Sequence, residues 1–140
     1  MTERTIDKAS VSTIVLEHGA RAEMLVQILQ SIVQQYGWIS EDVIRQLALE
    51  LNLSRADVHG VVEYYHDFRT EPPGKHIIKI CQAEACQAMG SRDLTSHANG
   101  VINADTTLEP VYCLGNCACA PAVMINGQTL GRVSNERFDA

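Results

Sequence analysis

Residues 113–127 read "CLGNCACAPAVMING". Three cysteines, Cys113, Cys117 and Cys119, fall within seven positions and are followed by Pro121, an apolar run and Asn126-Gly127. Asn-Gly between two apolar segments is a strong short-range hairpin signal, here joining "AVMI" to "QTLGRV". The stretch therefore predicts a thiol-bearing loop that feeds directly into a β-hairpin.

Working outward, "KHIIKIC" (75–81) is a β-branched run that reads as a strand ending at Cys81. "SRDLTSHA" (91–98) reads as a helix, and "TLEPVYC" (107–113) as a second strand ending at Cys113. "SNERFDA" (134–140) opens a helix that gains only one turn, so a continuation beyond Ala140 is expected. The order β-α-β-β-β-α over residues 74–140 is an α/β pattern, that of a thioredoxin-like sandwich. In such folds a cis proline commonly precedes the strand facing the active loop, whereas base rates for X-Pro bonds favour trans. Both isomers of Ala120-Pro121 stay open.

Upstream, the period changes at "EPPG" (71–74), which stops any helix. Leu25, Ile28, Leu29, Ile32, Val33 and Tyr36 share one helical face, and Gly37 ends that helix. Ser40 reads as the N-cap of a second helix burying Val43, Leu47 and Leu51. Ser54 with Asp57 resembles a capping box opening a third helix, with Val58, Val61, Val62 and Tyr65 as its stripe. Residues 21–71 are thus expected to form a three-helix lobe. Residues 1–20, with little periodicity, are expected to form a flexible N-terminal arm.

Composition bounds the function. The chain has 140 residues, 46% hydrophobic and 20% charged, ordinary for a globular protein with one moderate core or two small lobes. A net charge of −6 and the lack of a basic stripe argue against a nucleic-acid partner. No apolar run reaches the roughly 18 residues of a membrane span, so no membrane insertion is expected. "MTERTIDKAS" lacks the layout of a secretory signal. A cytoplasmic location follows, and there clustered cysteines more often bind metal or do chemistry than form disulfides.

The five cysteines are Cys81, Cys86, Cys113, Cys117 and Cys119. Each of the pairs Cys81/Cys86 and Cys113/Cys117 starts where an expected strand ends, so two loops at one sheet edge can face each other. Four thiolates from two facing loops is a metal-site arrangement. Thioredoxin-type exchange needs Cys-x-x-Cys, which is absent. A structural disulfide pair and tetrahedral zinc stay open; zinc sites favour tight two-residue gaps, although gaps of up to four occur. The wider gaps here suit a [2Fe–2S] cluster, whose two irons each take two thiolates.

"CQAEACQAMGS" (81–91), "CLGNCACAPAVMINGQTLGRVS" (113–134) and the upstream "YGWISEDVIRQLALELNLSRADVHGVVEYYHDF" (36–68) together resemble the thioredoxin-like [2Fe–2S] ferredoxin family. That family includes the small [2Fe–2S] subunits of complex I, NAD-reducing hydrogenases and formate dehydrogenases. The resemblance covers about residues 25–138. It implies that Cys81, Cys86, Cys113 and Cys117 ligate one [2Fe–2S] cluster. It also implies single-electron exchange with a flavin- and NAD-binding iron–sulfur subunit. Within the family, "YHDFR" (65–69) and "CQAEACQAMG" are most similar to the gamma subunits of cytoplasmic, NAD-dependent formate dehydrogenases. This narrower likeness implies a larger complex with a molybdenum catalytic subunit, and a chain that is not catalytic alone. Cys119 departs from the commoner pattern and reads as a small buried side chain, or as a spare or redox-sensitive thiol.

Other candidates are weaker. Gly115 would let the backbone approach the sulfurs with positive φ, and Gly90 would do similar work or interrupt a helix. His59, Glu63 and His66 share a face of the third helix, but a di-iron site needs a second Glu-x-x-His pair, which is absent. A solvated or interface face is expected there. His76 and His97 have no local partners that suggest ligation. No hydrolytic triad, phosphate loop or dinucleotide fingerprint is present, so NAD and formate are expected to bind other subunits.

Overall fold

The computed structural model describes residues 5–139. The chain divides into two compact units, Met1–Pro72 and Pro73–Ala140.

The first unit is helical. It opens with α1 (Lys8–Glu17), whose N-cap Asp7 accepts from the backbone N–H groups of Ala9 and Ser10. The flexible arm expected over residues 1–20 is thereby corrected, with residues 1–4 lying outside the described residues. Val11, Ile14 and Val15 are buried in the same core as the following helices. The Gln46 side-chain amide donates to the Lys8 carbonyl at 2.9 Å, and Ser12 donates to Glu50, tying α1 to α3. The short stripe was hard to read because Leu16, on the outer face, is 72% exposed and blurs the pattern.

A 3-10 turn (Ala22–Met24) leads into α2 (Leu25–Tyr36), which buries Leu25, Ile28, Leu29 and Ile32. Gly37 adopts the expected left-handed cap, φ 86°, where a side chain would be strained. In α3 (Glu41–Leu51) Ser40 Oγ accepts from the Val43 N–H at 3.2 Å, and Val43, Ile44, Leu47, Ala48 and Leu51 are buried. The α4 helix (Arg55–Tyr64) has the full capping box between Ser54 and Asp57. Its buried stripe ends at Val62; Tyr65 turns extended and stays 41% exposed, packing its ring on Phe68 instead. The three helices expected over residues 21–71 are thus present, and α1 adds a fourth among the described residues of this unit. Leu47 is fully buried, so Leu47→Ala is expected to destabilise this unit by about 2–5 kcal/mol. Urea unfolding followed by circular dichroism measures the loss.

The second unit is a four-stranded sheet in the order β2-β1-β3-β4. Strand β1 (His76–Cys81) pairs in parallel with β2 (Thr106–Val111), and antiparallel with β3 (Val123–Ile125); β3 pairs antiparallel with β4 (Gln128–Leu130). Parallel neighbours need a crossover, here α5 (Glu84–Ala88) and α6 (Ser91–Val101). A short α7 (Asn135–Asp139) follows β4, and the His97 ring bonds Asp139 at 2.7 Å. Ile80, Leu94, Ala98, Val123 and Val133 form the core. Asn126 and Gly127 both have positive φ, as a two-residue hairpin between twisted strands requires. The α5 helix was not anticipated: five residues are too few to display a period. Strand β2 ends two residues earlier than expected, at Val111, which frees Tyr112 and Cys113 for the loop.

A candidate cluster site at the carboxyl ends of two parallel strands

Strands β1 and β2 run in the same direction, so their carboxyl ends release two loops side by side. Cys81 is the last residue of β1, and Cys86 follows within α5. Cys113 lies two residues past β2, and Cys117 opens a single 3-10 turn, Cys117–Cys119.

The inner thiols are those of Cys81 and Cys86, 2% and 1% exposed, packed with Ala120, Ala122, Ala83, Val111 and Leu114. The Ala122 N–H donates to Cys86 Sγ at 3.4 Å. Cys113 and Cys117 are exposed, their sulfurs 3.6 Å apart, and the Gly115 N–H donates to Cys113 Sγ at 3.3 Å. Gly115 has φ 73°, so the expected close backbone approach is present. Cys113 itself sits at φ 92°, a region costly for a residue with a Cβ. Strain of this kind persists only where surrounding structure holds it, commonly at functional sites.

Charge on the thiols of one loop is felt by those of the other. Burial pushes the Cys86 thiol up, and the neighbouring Cys81 and Cys117 charges add to that. The hydrogen bond with Cys113 and the Cys113 charge push Cys117 up. Burial also opposes ionisation of Cys81, but hydrogen bonds from the Ala83 backbone, the Cys86 side chain and the Cys113 and Leu114 backbone outweigh it and bring that thiol down. Like charges this close resist forming together unless a cation compensates them. The donor set thus suits a positively charged metal centre bound by thiolates. The thiols form two pairs, Cys81 with Cys86 and Cys113 with Cys117, a division that suits a centre with two irons.

A strap covers the second loop. The Arg132 N–H donates to the Cys119 carbonyl at 2.6 Å and the Val133 N–H to the Pro121 carbonyl at 3.1 Å. Gly131 lies so close that a Cβ there would stand 2.6 Å from that of Cys119. Cys119 is half-buried beneath this contact. The strap was not foreseen, since "TLGRV" carries no signal beyond its role as a hairpin arm; the single glycine was the only pointer. The Ala120-Pro121 bond is cis. Gly90 adopts φ 95° as the residue before α6, separating it from α5.

Two of the remaining candidates have partners other than the cysteines. His59 bonds Glu41 at 3.1 Å and lies 3.8 Å from Glu63, on an exposed face. His76 contacts Asn126 at 3.0 Å at the hairpin. No helix among the described residues is long and apolar enough to cross a membrane.

A four-stranded mixed sheet with a helical crossover, and two pairs of thiols on the loops that leave its parallel strands, is the arrangement of a thiolate-bound metal centre. The model of the thioredoxin-like [2Fe–2S] ferredoxin family matches residues 11–140, and the chain belongs to that family. Its cofactor is a [2Fe–2S] cluster and its role is electron transfer. Among curated relatives, an NADH-quinone oxidoreductase subunit of Pseudomonas aeruginosa is 33% identical over 117 residues, covering 77% of this chain and 70% of that protein. The corresponding NADH-quinone oxidoreductase subunit of Buchnera aphidicola subsp. Baizongia pistaciae is 28% identical over 137 residues, covering 91% and 80% respectively. Among solved structures, an NAD+-reducing [NiFe]-hydrogenase shares the fold with a TM-score of 0.67 at 23% identity. The match covers 83% of this chain and 21% of the hydrogenase chain.

Proposed function

We propose that Cys81, Cys86, Cys113 and Cys117 hold the cluster, and that the chain is the electron-transfer subunit of an NAD-linked oxidoreductase complex in the cytoplasm. The observation that carries the ligand assignment is the pairing itself. Two buried and two exposed thiols, electrostatically coupled, lie on loops leaving adjacent parallel strands. When bound, the cluster takes up and releases one electron at a time. The protein's own contribution is to present four sulfurs at fixed positions and to aim backbone N–H groups at them. The N–H groups of Gly115 and Ala122 donate to ligand sulfurs and offset negative charge there. Ala120, Ala122, Val111 and Leu114 keep water from the inner pair.

The partner in this reading is a flavin- and NAD-binding iron–sulfur subunit. Support comes from the names of the relatives, which are subunits of NADH-quinone oxidoreductases, and from the NAD+-reducing hydrogenase that shares the fold. The narrower host, a formate dehydrogenase with a molybdenum subunit, is supported by the stretch from Tyr65 to Arg69 and by the residues between Cys81 and Cys86. The relatives' own names favour a complex I host as the second reading.

Affinity purification of the tagged chain from its native cells tests host and chemistry together. The expected product is brown, contains iron and acid-labile sulfide, and co-purifies with a flavin subunit and a molybdenum subunit. Alone it shows no formate:NAD activity, and NADH reduces its cluster only once the flavin subunit is added. A membrane-bound quinone-reducing assembly in place of the molybdenum subunit selects the second host. A colourless product with stoichiometric zinc overturns the reading altogether.

A further inference from the structure

Beside Cys117 lies an open cleft of about 630 Å³, lined by Met89, Gly90, Ala118, Pro121, Arg132 and neighbouring residues. Arg132 is the one charged side chain among those lining residues. It is exposed, and its guanidinium has no ion pair or hydrogen bond among the described residues. By contrast, nearby Arg137 is occupied, donating to the Gly131 carbonyl at 2.7 Å. The Arg132 backbone adopts φ 51°, a left-handed conformation that an arginine adopts only at a cost. The contacts that hold it there are the strap's own: Gly131 packed on Cys119, and the two backbone hydrogen bonds to the Cys119 and Pro121 carbonyls. The strap thus fixes the backbone of the one charged residue lining the cleft that Cys117 also lines, in a chain whose net charge is −6.

We propose that Arg132 is a positioning residue for charge, its guanidinium favouring the reduced over the oxidised form of the centre held by Cys117. The inference rests on the ligand assignment above. A one-electron reductant adds one negative charge to a centre that already carries about −2 with four thiolates. A cation across the cleft lowers the free energy of the more negative form, and no acidic side chain lines the cleft to cancel it. Because the guanidinium is exposed, the effect is open to screening: the Debye length falls from about 30 Å at 0.01 M salt to about 3 Å at 1 M.

Redox titration of the holo chain, followed by visible absorption and electron paramagnetic resonance, tests this. Arg132→Asn is the informative variant, since asparagine tolerates left-handed backbone and carries no charge. It is expected to keep its iron content and oxidised spectrum while its midpoint potential moves negative. The shift is expected to shrink at high salt, and Arg132→Lys is expected to restore the potential. Arg132→Gly, which also accepts the backbone conformation, is expected to shift as the Asn variant does. An unchanged potential in the Asn variant overturns the proposal, as does an equal, salt-independent shift in the Lys variant. Loss of the chromophore from both Asn and Gly variants makes the residue structural and overturns it too. Failure of the ligand assignment is read separately, as a chromophore that survives Cys117→Ala.

Discussion

Replacing any one of Cys81, Cys86, Cys113 or Cys117 by alanine is expected to abolish the visible chromophore and bring iron well below the about two atoms per chain of an intact cluster. In the proposed assignment each iron has two protein sulfurs, and losing one halves its anchorage. The inner and outer variants should differ in their remains. Cys86 packs among alanines and a valine, so its replacement also opens a void in a dry pocket. Cys117 is exposed, and its replacement leaves the packing intact. Cys119→Ser is expected to keep the cluster, because Cys119 sits under Gly131 in the strap, its carbonyl accepting from the Arg132 N–H, and is not among the four thiols assigned to the centre. Visible absorption with iron and sulfide analysis checks all five variants. A cluster lost with Cys119 and retained without Cys117 would reverse the assignment of the second loop.

Removing iron is expected to loosen residues 74–140 far more than residues 25–68. The helical unit has an extensive aliphatic core that includes Ile28, Leu29, Ile32, Ile44 and Leu47, and nothing in it depends on the cysteines. The sheet unit has a much smaller core, and units of this size are marginal without a staple. A ligand bound only by the folded form stabilises it by mass action, about 2.7 kcal/mol for each hundredfold excess over its dissociation constant. Amide exchange in β1, β2 and α6 should therefore accelerate on the order of 100-fold or more in the apo chain, with α2 and α3 little changed. Equal protection in both forms would mean that the cluster does not hold the unit together.

What the sequence revealed, and what it hid, follows from the range of each signal. The caps at Gly37, Ser40 and Ser54 are local chemistry between residues at most four positions apart, and all three formed as expected. Asn126-Gly127 is equally local and set the hairpin. The strand endings at Cys81 and near Cys113 placed two cysteine loops at one edge, because β-branched runs stop where turn residues begin. The hidden features are those defined by distant parts of the chain. Val11, Ile14 and Val15 could be recognised as core only once α3 lay against them. Tyr65 kept the spacing of a buried residue while the helix ended one position before it. The strap over Cys119 joins positions twelve and thirteen residues apart through backbone groups alone, and the positive φ of Cys113 falls on a residue type that does not announce it. The host complex is subtler still, since it rests on a few side chains that leave the fold unchanged.

The sheet has two open margins, β2 on one side and β4 on the other. Pro110 lies in β2, where it has no N–H to offer, and β4 is only three residues long. Neither margin presents the long row of free backbone groups on which an extended segment could add itself as a further strand. Recognition by strand addition, common among proteins with exposed sheet edges, is therefore disfavoured at both margins. Loops and helix surfaces are left as the better places to grip, and those are where the four thiols and Arg132 already stand.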